Sequence, residues 1–137
     1  MIEYMKPKII QIKSIESPKG VLSVIDNKNN LPFEIKRIFY VYNIPQNSKR
    51  GDHAHKNLKE LIWVLNGEIE VSTISQDKSK AKFILNKQNE GLYIPERTWS
   101  YQVANSQNCI YCVACSDYYD EGDYIRNWND FVSSNFD

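Results

Sequence analysis

Short apolar runs, broken about every 8 to 12 residues by turn residues, leave this chain few folds to choose from. KIIQIKSI (8–15) alternates apolar and polar side chains, and Pro18-Lys19-Gly20 turns it toward VLSVID (21–26). IKRIFYVY (35–42) is rich in residues that suit a pleated surface. After a loop over 44–49, RGDHAHK (50–56) is short and extended. ELIWVL (60–65) and EIEVSTIS (68–75) flank Asn66-Gly67, which predicts a two-residue hairpin between them. SQDKSKAK (75–82) predicts a charged turn, followed by KFILN. GLYIP (91–95), TWSYQV (98–103) and NCIYCVAC (108–115) complete the set. Only the stretch from about Asp123 to Asn135 suits a helix, with Ile125, Trp128 and Val132 on one face. Its acidic lead-in, Asp117, Asp120, Glu121 and Asp123, suits a helix cap. The expectation is an all-β sandwich or barrel with one short C-terminal helix.

A length of 137 residues predicts one domain over 1–137, able to bury about 70% of the unfolded surface. Seventeen basic and seventeen acidic residues cancel, which argues against nucleic-acid binding through a broad basic field. No apolar run is long enough to span a bilayer, and the N-terminus has neither the apolar core nor the cleavage site of a signal peptide. A cytoplasmic protein is expected. Cys109, Cys112 and Cys115 have the C-x2-C-x2-C outline of an iron–sulfur run. On a strand, however, Cys112 points away from the other two, and no fourth cysteine exists, so buried thiols are expected.

The chain has two histidines, His53 and His55. At i and i+2 on a strand, both rings face one side, with Cα atoms about 6 to 7 Å apart. Gly51, His53, His55, Glu60 and Gly67 meet the run G-x-H-x-H-x4-E-x6-G. That run resembles the first motif of the cupins, small jelly-roll β-barrels. In metal-binding cupins these two histidines and the glutamate are ligands, and a second motif adds a third histidine. GLYIPERTWS (91–100) is similar to that second motif, but Ser100 stands near the histidine's place. Two histidines and Glu60 still offer a partial ligand set. The other chemistry is metal-free. Moving a ketone to the neighbouring carbon of a sugar passes through an enediolate and needs an acid and a base near neutral pKa, a task suited to imidazole.

IKRIFYVYN, RGDHAHK, LNG, GLYIP and SDYYDEGDYIRNWNDF together resemble the sugar 3,4-ketoisomerases, cupins acting on dTDP-4-keto-6-deoxyglucose. The likeness runs from about Leu22 to Phe136. It implies a jelly roll and a homodimer made by exchanging N-terminal strands. It also implies a dTDP-linked 4-keto-6-deoxy sugar as substrate, and a 3-keto product that feeds amino-sugar synthesis for surface glycans. No metal or organic cofactor is implied, and His53 and His55 would carry the acid/base work. Three positions depart from the family. Lys19 precedes Gly20 where some members carry arginine; Ser100 follows Trp99 where some carry histidine; Glu60 replaces a common glutamine. Lys19 and the 97–100 segment lie where differences in C4 configuration are expected.

A neutral protein must hold a diphosphate with a few placed cations, and Arg37, Arg50 and Arg97 are the candidates. Tyr40 and Tyr42 are candidates for hydrogen bonds to the sugar, and Trp99 and Tyr101 for the wall beside the base. Three alternatives stand beside the isomerase. One is a cupin-type nucleotide-sugar 3,5-epimerase with a histidine base and a tyrosine acid. The others are a metal-dependent cupin using His53, His55 and Glu60, and a sugar-binding module without activity.

Overall fold

The computed structural model describes residues 5–28 and 31–134. Among the described residues, twelve strands run in the order β1 (Lys8–Gln11), β2 (Lys13–Ser17), β3 (Gly20–Val24), β4 (Arg37–Val41), β5 (Lys49–His55), β6 (Glu60–Asn66), β7 (Ile69–Ile74), β8 (Lys80–Leu85), β9 (Glu90–Ile94), β10 (Trp99–Ala104), β11 (Ile110–Cys115) and β12 (Tyr124–Ile125). A 3-10 turn, Glu121–Asp123, precedes β12, and helix α1 spans Trp128–Ser133. Two five-stranded antiparallel sheets face each other, in the orders β1-β9-β6-β11-β4 and β12-β5-β10-β7-β8. The strand pattern predicts a sandwich or barrel, and the fold is the jelly roll that the cupin resemblance implies.

The core follows from side-chain alternation. Ile62 and Val64 of β6, Leu92 and Ile94 of β9, and Tyr111, Val113 and Cys115 of β11 point inward to meet Ile69, Val71 and Leu85. The intervening residues Leu61, Tyr93 and Ala114 point outward, where Ile10, Phe33 and Ile35 cover them. All three cysteines are buried free thiols, with Cys109 and Cys115 in the inner cluster and Cys112 on the opposite face of β11.

Three expectations are corrected. Asn66-Gly67 does not close a hairpin: β6 pairs with β9 and β11, whereas β7 pairs with β8 and β10. The turn instead carries the chain from one sheet to the other. Gly67 has φ 81°, and a Cβ there would lie 2.5 Å from Ser106 Oγ, so glycine is required twice over. Next, KIIQIKSI is two strands. The backbone breaks at Ile12, whose N–H donates to the Asn89 carbonyl, so β1 joins the first sheet while β2 pairs only with β3. Finally, β8 begins at Lys80, inside the stretch expected to be turn.

The C-terminal helix is also shorter than expected. Tyr124 and Ile125 pair with His55 and Ala54 and so extend the second sheet. Asn127, and none of the acidic residues, caps α1 by accepting from the Asp130 N–H at 3.0 Å. Asp120 caps the 3-10 turn, accepting from Gly122. From α1, Phe131 packs with Trp99, Ala54 and Ile125 on the outer face of the second sheet. Asn135 lies outside the described residues.

Candidate active site

β5 carries the site, and a bulge in it decides what faces inward. Gly51 and Asp52 both have positive φ, 95° and 62°, and the pairing with β10 jumps from Gly51↔Tyr101 to His53↔Ser100. The extra residue breaks strict alternation. Arg50 and His53, three apart, therefore line the same cavity. A Cβ on Gly51 would stand 3.0 Å from the Gln102 side chain and 3.1 Å from the Ser100 carbonyl, so the bulge needs glycine. Behind it, Trp99 donates from Nε1 to Asp52 at 3.3 Å.

The cavity between the sheets encloses about 410 Å³. His53, Glu60, Ser100, Gln102, Tyr111, Tyr124, Arg50 and Arg126 supply its polar lining, and Phe39, Ile62, Ile94 and Val113 its apolar one. The rings of His53 and His55 lie 5.0 Å apart, edge to face. Tyr124 touches both, at 4.9 Å from His53 and 4.3 Å from His55. His55 is buried at 5% exposure, with Asp123 Oδ2 3.3 Å from its Nδ1 but out of line for a hydrogen bond. Asp123 is itself held by the N–H groups of Asn57 and Leu58, at 2.9 and 3.2 Å.

Burial lowers both imidazoles from their usual range. For His55, His53, Arg37 and Arg126 add to it and push the value down to about 3. Both shifts favour the neutral ring, which is the form that can accept a proton. Burial moves Glu60 the other way, up to about 7, against the attraction of Arg37. Arg50 and Tyr111 line the same cavity wall. Arg126 is paired with Glu121 at 2.6 and 2.9 Å, and Lys49 with Asp52 at 3.0 Å.

The candidate residues divide. His53, Glu60, Arg50 and Ser100 reach the cavity. Arg37 and His55 line an adjoining polar pocket, separated from it by Tyr124. Four others are placed elsewhere. Tyr42 is 58% exposed on the outside, stacked on Tyr40. Trp99 is buried under α1, because the register that aims Ser100 inward aims its neighbour out. Arg97 sits in the turn before β10, with its N–H on the His55 carbonyl and its Nε on the Lys56 carbonyl. Lys19 lies in the exposed β2–β3 turn. Among the described residues, no three His, Cys, Asp or Glu side chains converge as a metal set.

Tyr124, Arg126 and the Asp123–His55 contact escape a reading by hydrophobic period. By period, DYIR reads as part of a helical face, although Tyr and Ile suit a strand and Gly122 marks the turn before it.

A jelly-roll barrel with one imidazole on the wall of a polar cavity, and a second packed edge to face against it, defines a small cupin. More narrowly, the family model described as "FdtA: WxcM-like, C-terminal" matches residues 5–135, and the chain belongs to that family. It is 35% identical over 127 residues to the TDP-4-oxo-6-deoxy-alpha-D-glucose-3,4-oxoisomerase of Aneurinibacillus thermoaerophilus, covering 93% of this chain and 91% of the relative. The structure of WlaRA, a TDP-fucose-3,4-ketoisomerase from Campylobacter jejuni, superposes with a TM-score of 0.87 at 40% identity, covering 93% and 94% of the two chains. QdtA, a sugar 3,4-ketoisomerase from Thermoanaerobacterium thermosaccharolyticum solved with TDP, gives 0.87 at 32% identity, covering 93% and 92%.

Proposed function

We propose that this chain is an isomerase that moves the ketone of a TDP-linked 4-keto-6-deoxyhexose from C4 to C3 through an enediolate, with His53 and His55 carrying the protons. The observation that carries this reading is the pair of neutral imidazoles, 5.0 Å apart, with His53 on the cavity wall. A neutral imidazole can take the C3 proton. The electron pair released moves into the C3–C4 bond, and the carbonyl oxygen at C4 becomes a hydroxyl. The reverse sequence at the neighbouring carbon leaves the ketone at C3. The oxidation at one carbon balances the reduction at the other, so the sugar supplies its own electrons and the reaction calls for no cofactor. Arg50 at the cavity and Arg37 beside it suit the diphosphate oxygens. A 3-keto product suits amination at C3 in the cytoplasm, ahead of glycan assembly.

The proposed assembly is a homodimer in which the β2–β3 hairpin is exchanged between subunits. The hairpin pairs with no other strand among the described residues, and Ile15, Val21 and Leu22 on it are 53%, 63% and 59% exposed. A two-stranded hairpin alone is marginal in water, so such a surface calls for a cover.

Kinetics of His53→Asn test the reading. Ketone transfer is expected to fall at least about a hundredfold while TDP still binds. Near-normal transfer by both His53→Asn and His55→Asn would remove the assignment.

A further inference from the structure

Moving a ketone between neighbouring carbons shifts two protons: one between C3 and C4, another between O3 and O4. The histidine pair is not equally placed for both. His53 lines the main cavity, whereas His55 opens onto the separate polar pocket of about 110 Å³ that also holds Arg37 and Asp123. Tyr124 is the only side chain among the described residues that lines both spaces. β12 fixes it there by pairing Tyr124 with His55 across the edge of β5. The ring is in contact with both imidazoles, and Arg37 lines the smaller pocket beside it. The Arg126 guanidinium lies 4.1 Å from the ring centre. Burial keeps the phenol protonated at neutral pH, and two flanking cations stabilise the phenolate that donation leaves. A hydroxyl that can both give and accept a proton is what an exchange between two neighbouring oxygens requires.

We propose that Tyr124 is the catalytic group that carries the hydroxyl proton between O3 and O4, and that the part of His55 in the acid/base work narrows to positioning this phenol, while His53 carries the carbon-bound proton. This rests on the isomerase reading. The step balances without any outside reactant. His53 takes the proton from C3, the C–H pair forms the C3–C4 double bond, and the carbonyl π pair takes the Tyr124 proton at O4. The phenolate then removes the O3 proton, the C3 carbonyl forms, and C4 takes the proton from His53. Both side chains end as they began.

Tyr124→Phe keeps the ring and deletes only the hydroxyl. The test follows TDP-4-keto-6-deoxyglucose in heavy water by proton NMR, reading C3 exchange and ketone transfer together. In the variant, transfer should fall at least about a hundredfold. His53 still removes the C3 proton, so exchange falls less and the ratio of exchange to transfer rises at least about tenfold. His55→Asn should move that ratio the same way by a smaller factor, and an unchanged ratio there removes His55 from the relay. Transfer by Tyr124→Phe within about threefold of the unaltered chain overturns the proposal. So does a proportional fall in both processes, which marks a merely structural tyrosine. No ketone transfer by the unaltered chain would overturn the isomerase reading itself, and this proposal with it.

Discussion

At the scale of residues, the cavity holds its titratable groups in the forms that burial favours, and stability should record this. Glu60 keeps its proton up to about pH 7, against 4.5 for an ordinary glutamate. As pH rises from 4.5 to 7 the unfolded chain ionises there and the folded chain does not, so stability falls over that window. Glu60→Gln removes the penalty. It should stabilise the protein by about 1–3 kcal/mol at pH 8 and by almost nothing at pH 4, as read by urea unfolding. An equal effect at both pH values would contradict the burial argument. The histidines have the opposite sign. Their neutral forms are favoured in the fold, so stability is full above about 6.5 and declines as pH falls toward His55's value near 3. His55→Asn should flatten that acid limb. The histidine pair and its shared face are legible in the sequence because i, i+2 spacing on a strand leaves little choice. Arg50's place beside His53 is not, since it depends on a bulge that Gly51 permits but does not announce.

Among the elements, the bulge in β5 and the cover formed by β12 and α1 build the site. Gly51→Ala would force a Cβ against the Ser100 carbonyl in a backbone region that alanine avoids. We expect a loss of about 1–3 kcal/mol in unfolding free energy and reduced ketone transfer, since strain there displaces His53. Unchanged stability and activity would mean the bulge is not needed. Phe131 anchors α1 on Trp99 with 4% exposure, and Phe131→Ala should cost about 3–5 kcal/mol, measured by chemical denaturation. The strands were readable from alternation, but their partners were not. Asn66-Gly67 has the composition of a hairpin turn, yet Ile69 finds its partners in β8 and β10 because the barrel needs a crossing between sheets. Likewise DYIRNWNDF reads as one helix by period. The open edge of β5 captures Tyr124 and Ile125 first, and Asn127 restarts the chain as a helix.

For the whole molecule, an enclosed jelly roll leaves one hairpin outside itself, and its apolar face sets the expected assembly. Sedimentation should give twice the 16.1 kDa chain mass, and replacing Val21 and Leu22 together by lysine should shift it to the single-chain mass. A monomer before any substitution would refute the exchanged dimer. Overall neutrality gains a meaning at this scale too: positive charge is concentrated at the cavity in Arg50, Arg126 and Lys49, with Arg37 alongside. The most direct measurement of the central claim is a proton NMR time course of TDP-4-keto-6-deoxyglucose with the unaltered chain in heavy water. The account predicts that the ketone appears at C3 and that a proton or deuteron arrives at C4. Deuterium at C5 with the ketone still at C4 would contradict it and identify an epimerase instead.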